Sequence, residues 1–238
     1  MAGNGKRFAD AGYKEIKPLI QILGKPMIQH VVASVNLEGN WVFVVQKDHR
    51  EKYSLDTVLN SIVPNCQIVD TGISGVTEGA VCSILHAEKL IDKDAPVIII
   101  NSDNIIKWDT EDYFKMLEQN LDGLILCFTD TNPKWSFVKI DENNIVTEVA
   151  EKNPISNIAT AGMYIWSKGQ YFIDAAKSMI EKNIRVNNEF YVCPVYNQNV
   201  EMGHRIGITY VTEMHGVGTP EDLDIFLSQD SSVGRAPA

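Results

Sequence analysis

The 238-residue chain lacks most of the features that assign a protein to a class at sight. Its four cysteines, Cys66, Cys82, Cys127 and Cys193, form no C-x-x-C pair and show no zinc spacing. That leaves no redox or structural-zinc motif and points to free thiols in a reducing compartment. The five histidines (His30, His49, His86, His204 and His215) share no ligand spacing either. No apolar run reaches the roughly 18 residues a membrane span needs, and no secretory leader is visible. Positive charge is scarce: 21 Lys and Arg against 31 Asp and Glu leave a net charge of -10. Such a balance is wrong for coating nucleic acid or a membrane surface. The expectation is a cytoplasmic protein with a small-molecule partner, without nucleic acid or membrane, and compatible with a homo-oligomer.

Five of those cations nonetheless cluster at the start, around a glycine turn. Residues 1–26 (MAGNGKRFADAGYKEIKPLIQILGKP) carry Gly3 and Gly5 around Asn4, then Lys6, Arg7, Lys14, Lys17 and Lys25. Glycines let backbone N–H groups approach an anion closely, and the neighbouring cations hold it, so this loop is a candidate phosphate cradle. It has neither the GxxxxGK[ST] spacing of a P-loop nor the third glycine of a dinucleotide fingerprint.

Apolar runs at 41–46 (WVFVVQ), 66–71, 96–101 (PVIIIN) and 123–129 read as strands. Between them, 48–63, 79–91 and 109–120 read as helices, with Asp48 as an N-cap. The β-branched PVIIIN run has the pattern of a central parallel strand covered on both sides. This rhythm predicts a layered α/β sheet. Short strands follow at 137–140, 145–150, 159–166 and 205–212, with helices at 170–182, 189–200 and 220–227. No repeat or linker interrupts the pattern, so residues 1–230 are expected to form one domain, with 231–238 a disordered or artificial tail. Ligands of α/β sheets sit at the carboxyl ends of strands, which should bring Asp103, after PVIIIN, next to the glycine loop. Beside a triphosphate, Asp103 suits Mg²⁺, which takes one or two carboxylates plus phosphate oxygens. Glu151-Lys152 reads either as a solvated ion pair or as a second phosphate contact. Asn188-Glu189 reads as a helix cap or as a reader of ligand hydroxyls.

The order GNGKRF, KPLIQILGKPMI, NSDN, EKNPISNIATAGMYIW, NNEFY and GVGTPEDL resembles the sugar-phosphate nucleotidyltransferases, most of all their capsule-biosynthesis branch. The resemblance implies a glycosyltransferase-A-like, Rossmann-like three-layer fold. Its mixed, mostly parallel sheet would be flanked by helices and carry a small β-rich acceptor-binding part. Residues 1–130 would bind the nucleotide and 131–230 the acceptor. The implied reaction joins a nucleoside triphosphate to a sugar 1-phosphate with loss of pyrophosphate, Mg²⁺ assisting, for surface or capsular polysaccharide precursors. The implied nucleotide site is Ala2, Gly3, Asn4, Gly5 and Lys6, with Thr77, Glu78 and Gly79 at the base. Arg7, Lys17, Asp103 and Lys152 would act on the phosphates, Asp103 also as metal ligand, and Lys152, Gly162 and Glu189 would hold the acceptor. A carboxylate at Glu78 suits the cytosine amino group, which favours CTP.

Two departures stand out. The family's glycine loop follows an apolar strand, whereas here it opens the chain; the favoured expectation is a longer natural chain, the alternative a sheet short of a central strand. Where several relatives place a second metal-ligating Asp, this sequence has Gly216, with Glu213 as a substitute. Competing readings are a cytidylyltransferase for a non-sugar phosphate or phosphonate, a glycosyltransferase, and a non-catalytic nucleotide-binding subunit.

Overall fold

The structure, a computed structural model, describes residues 1–230. The expected tail, 231–238, lies outside the described residues. The chain begins with α1 (Lys6–Asp10), a hairpin of β1 (Gln21–Ile22) and β2 (Lys25–Pro26), then α2 (Met27–Val35) and β3 (Val42–Val45). It continues through α3 (Lys47–Lys52), α4 (Leu55–Ile62), β4 (Gln67–Asp70), α5 (Ala80–Leu85), β5 (Val97–Ile100) and β6 (Asn104–Lys107). Next come α6 (Glu111–Glu118), β7 (Gly123–Thr129), β8 (Ser136–Ile140), β9 (Val146–Glu151) and β10 (Ile158–Trp166). The last elements are α7 (Gly169–Glu181), α8 (Val195–Glu201), β11 (Ile206–Tyr210), β12 (Glu213–Gly216) and α9 (Pro220–Asp230).

A mixed α/β arrangement results. The main sheet has the order β11-β7-β10-β8-β9, with β5 also on β10. Strand β10 is apolar at nearly every position because both its faces are covered. Ala161, Met163 and Ile165 face one core with Leu124, Leu126 and Met116. Tyr164 and Trp166 face the other, with Ile125, Cys127, Phe172 and Tyr196. The alternation is the period-2 geometry of a strand. Helix α7 meets this second core through Phe172, Ala176 and Met179, residues one helical turn apart. Trp166 stacks on Tyr196 at 4.4 Å, and its indole nitrogen donates to Asn199 at 2.9 Å.

One edge of β10 is shared by two strands placed end to end. Strand β8 pairs at Ala159↔Phe137, and β5 pairs from Met163↔Ile100 to Trp166↔Val97. The turn leaving β5 and the turn entering β8 therefore meet halfway along that edge, and two adjoining cavities open there.

Several expectations are corrected. The PVIIIN strand is not a central parallel strand: β5 runs antiparallel to β10, and no ladder joins it to β3 among the described residues. The helix expected over 48–63 is broken at Ser54, whose φ of 48° is incompatible with continuation, and Asp48 lies in the first turn of α3 instead of capping it. The helix expected from 189 begins at Val195 behind Pro194, a residue suited to a helix start. The residues before it are held as a loop by the backbone bonds described below. Strands β6 and β12, in segments given no secondary structure from the sequence, pair antiparallel across more than a hundred residues.

Candidate active site

The glycine loop enters α1 through Gly5, at φ 59° and ψ 28°; a Cβ there would stand 3.1 Å from the Cβ of Lys17. Glycine is needed at that position for both reasons. Gly3 is not crowded. Buried Gln46, at the end of β3, donates to the Ala2 carbonyl at 2.9 Å and lies 3.3 Å from Asn4 Oδ1, fixing the loop to the sheet. Lys17 opens a 3-10 turn in which Pro18 pre-sets the backbone. Its Nζ lies 2.7 Å from Asp103 Oδ2, and Asp103 lines the same cleft as Asn4 and Gly5 of the glycine loop expected beside it. Burial works to raise the Asp103 carboxyl, but Lys17 outweighs it and holds the group below the usual aspartate range. Asp103 is thus ionised through the neutral range.

A cleft of about 460 Å³ opens above this pair. Lys6, Arg7, Lys17, Lys134 and Lys152 line it against Asp103 and Asp222, a formal excess of three positive charges. Lys6 and Arg7 make no ion pair among the described residues. Lys152 has φ 55°, a left-handed conformation costing a non-glycine residue about 1–2 kcal/mol. Its N–H donates to the Trp135 carbonyl at 2.9 Å, and its Nζ donates to the Tyr191 hydroxyl at 2.6 Å. The strained backbone turns Lys152 into the cleft, so it forms no ion pair with its sequence neighbour Glu151 among the described residues.

Glu151 faces a second cavity of about 310 Å³, lined also by Asn101, Ser136, Thr160, Tyr164 and Cys193. The Ser136 hydroxyl donates to the Glu151 carboxylate. Burial pushes the Glu151 carboxyl above the usual glutamate range, partly offset by that hydrogen bond and by Lys152. Thr160 Oγ1 and the Tyr164 hydroxyl share a hydrogen bond of 3.0 Å. The Cys193 thiol is raised by burial, as are Cys66, Cys82 and Cys127, so nothing activates a thiolate. Asp103, Asn104, Lys134, Trp135 and Tyr191 line both cavities and form the junction between them.

A family profile described as Nucleotidyl transferase matches residues 1–219. The chain belongs to the nucleotidyl transferase family. It is 28% identical over 170 residues to the bifunctional protein GlmU of Methanocaldococcus jannaschii, covering 70% of this chain and 38% of that protein. The chain therefore spans well under half the length of the curated relatives it matches. Among solved structures, a nucleoside-diphosphate-sugar pyrophosphorylase from Vibrio cholerae RC9 superposes with a TM-score of 0.81 at 22% identity, covering 96% of this chain and 98% of the other. A UDP-glucose pyrophosphorylase complexed with UDP-glucose gives 0.74 at 19% identity, covering 98% and 97%. These two likenesses establish the fold.

Within this nucleotidyl transferase, the residues expected from sequence divide into two groups. Asn4, Gly5, Lys6, Arg7, Lys17, Asp103 and Lys152 come together in the cationic cleft. Ala2, Gly3, Thr77, Glu78, Gly79, Gly162 and Glu189 line neither cavity. Gly162 packs beneath the site, where a Cβ would stand 2.7 Å from Asn101 Nδ2. Glu189 is exposed, its backbone paired with Val186. It caps no helix, because α8 starts only at Val195.

Thr77–Gly79 form a separate shelf clamped to the Glu189–Tyr191 loop. The Phe190 N–H donates to the Glu78 carbonyl at 2.8 Å, the Val81 N–H donates to the Phe190 carbonyl at 3.1 Å, and the Glu78 carboxylate pairs with Arg185. Glu213, the exposed first residue of β12, pairs with Lys107 and lines neither cavity. Gly216 does line the cleft, and its missing side chain is what admits Trp135: a Cβ there would stand 2.7 Å from the indole.

Sequence reasoning missed Gln46, Lys134, Trp135 and Ser136, and took Glu151 only as an ion-pair partner. The available signal was Glu151 two residues beyond buried Val149, a spacing that puts both on one face of the strand; the others depend on turns that only the folded chain brings together.

Proposed function

We propose that this enzyme transfers a nucleoside monophosphate from a nucleoside triphosphate to a sugar 1-phosphate, releasing pyrophosphate. The observation carrying the proposal is the junction: a cleft with excess positive charge opens directly into a hydroxyl-lined cavity of sugar size. The triphosphate would lie along Asn4–Arg7 and Lys17, and the acceptor sugar against Glu151 and Ser136. An oxygen of the acceptor phosphate would bond to the α-phosphorus while the bond to the bridging oxygen breaks, and the electron pair leaves with pyrophosphate. At neutral pH the attacking phosphate is already an anion, so the protein supplies position and charge stabilisation and no base. Arg7 and Lys17 would stabilise the departing charge, and Lys152 would orient the acceptor phosphate.

Asp103 is the residue that would hold Mg²⁺. One ionised carboxylate facing the cleft suits a cation that brings most of its ligands as phosphate oxygens and water, and no cluster of three ligating side chains exists among the described residues. When bound, the metal would neutralise phosphate charge, and Lys17 would be released onto the phosphates.

Residues 1–130 would then serve mainly the nucleotide and 131–230 mainly the acceptor within one domain, with Lys134 and Asp222 crossing back to the nucleotide side. CTP is the favoured donor on the strength of Glu78, one of whose carboxylate oxygens remains available beside Arg185. The product would feed surface or capsular polysaccharide assembly. A pyrophosphate-release screen of four nucleoside triphosphates against sugar phosphates, other phosphates and phosphonates tests the whole reading. Turnover restricted to sugar 1-phosphates supports it; turnover only with a non-sugar acceptor moves the enzyme to another class. Equal rates with CTP, UTP and dTTP would sink the base preference alone.

A further inference from the structure

Of the residues at the junction, Lys134 is the one cation among the described residues. Its Nζ lies 2.6 Å from Asp222 Oδ1 and 4.5 Å from the centre of the Trp135 ring. Lys134 sits in the turn entering β8, and Asp222 in the first turn of α9, so their pair crosses the mouth of the phosphate cleft. The Lys134 side chain is 42% exposed and that of Asp222 19%, and ion pairs this open to water are weak. Phosphate oxygens make stronger, charge-assisted hydrogen bonds to an ammonium.

We propose that Lys134 is a transferable cation: it rests on Asp222 in the empty enzyme and moves onto the polyphosphate when the cleft fills, gripping the pyrophosphate as it departs. This rests on the nucleotidyl-transfer reading above and adds a substrate-touching residue to it. Two features make the move cheap. Asp222 keeps a partner, because the Thr219 hydroxyl donates to its other oxygen at 3.0 Å and α9 stays capped. Lys134 keeps its bearing, because the indole beneath it is anchored by a 2.9 Å hydrogen bond from Nε1 to Asp130 and by its edge contact with Phe128. The cation–π contact therefore holds the ammonium at the junction while its ion-pair partner changes.

The competing role is a strut that merely ties the β7–β8 turn to α9. The two roles part company in the sign of one variant. Inorganic pyrophosphate is titrated calorimetrically into the full chain carrying no substitution, Lys134→Ala, Lys134→Arg or Asp222→Asn, with thermal melting of each. A transferable cation predicts that Lys134→Ala weakens pyrophosphate binding about tenfold or more, that Lys134→Arg restores most of it, and that Asp222→Asn tightens it about two- to fivefold. Asparagine still accepts from Thr219, so the cap survives that change. A strut predicts that Lys134→Ala and Asp222→Asn, which break the same tie, weaken binding alike, and that result overturns the proposal. Unchanged binding by Lys134→Ala, with the unsubstituted enzyme binding normally, also overturns it while leaving the proposed reaction standing. Failure of the unsubstituted enzyme to bind pyrophosphate overturns both.

Discussion

The two cavities meet at Asp103 yet are built on opposite principles. The cationic cleft is made of a glycine loop and long side chains: Lys6 and Arg7 have no ionic partner among the described residues, while Lys17, Lys134 and Lys152 rest on groups they can leave. The second cavity, proposed for the acceptor, is lined by side chains on adjacent strands already bonded to one another, as Ser136 to Glu151 and Thr160 to Tyr164. In the proposed reaction, flexible cations would recognise charge and follow it as it moves from triphosphate to pyrophosphate. Locked hydroxyls and the half-buried Glu151 carboxyl would recognise shape and could not follow anything. One side should therefore govern rate and the other choice of acceptor.

The sharpest break in that comparison comes from the cleft. Lys17→Ala and Asp103→Ala should each lower kcat/KM by at least about 100-fold, the first because it removes a positive charge aimed at the phosphates of the proposed reaction, the second because it removes the carboxylate that would hold Mg²⁺. Circular dichroism should show the fold intact, because both side chains face the cleft. Near-normal rates in both variants would remove the cleft from the chemistry.

On the acceptor side, Glu151→Gln should cut kcat/KM for the acceptor by about 10- to 100-fold while pyrophosphate binding stays within about twofold. It also carries a pH signature. The folded-state value of Glu151 lies above its unfolded value, so its contribution to stability is complete below the usual glutamate range and is lost as pH rises through the raised value. The glutamine variant should lack that loss, and melting temperatures measured from acid to neutral pH would show a flatter profile.

The shelf between the two halves should answer in stability before activity. Gly79 has φ 131°, and a Cβ there would stand 2.6 Å from the Phe190 carbonyl oxygen and closer still to its nitrogen. Gly79→Ala should cost about 2 kcal/mol or more, read by denaturant unfolding, and should loosen the 78–81 amides in hydrogen exchange.

The smallest effect is that of salt. Raising ionic strength from about 0.01 to about 1 M shortens the screening length from about 30 to about 3 Å. Pyrophosphate affinity should fall, while the ratio of kcat/KM values for two competing acceptors should hardly change. A ratio that tracks salt would show that charge, too, selects the acceptor.

How much of this was legible in the residues follows from how local each feature is. Strand β7 was read with its bounds, and β10 and α7 within one residue, because continuous apolar runs and one-turn spacing are local signals. The nearness of Asp103 to the glycine loop was legible because ligand loops gather at strand ends in such sheets. The direction of β5 was not, since its neighbour β10 lies sixty residues on and pairing direction leaves no mark on an apolar run. Lys134, Trp135 and Ser136 were hidden because a polar turn looks solvated until β8 is seen sharing an edge with β5. The shift of α8 to Val195 was signalled by Pro194, but the backbone bonds from Phe190 to the 78–81 segment that keep 189–193 out of the helix are long-range.

The most direct test is a crystal structure of the enzyme with a nucleotide sugar that its own turnover identifies. The phosphates are expected against Asn4–Arg7, Lys17 and Lys134, the sugar hydroxyls against Glu151 and Ser136, and the join between them over Asp103. A product bound elsewhere, with both hollows filled only by water, would contradict the assignment of these two cavities to one reaction.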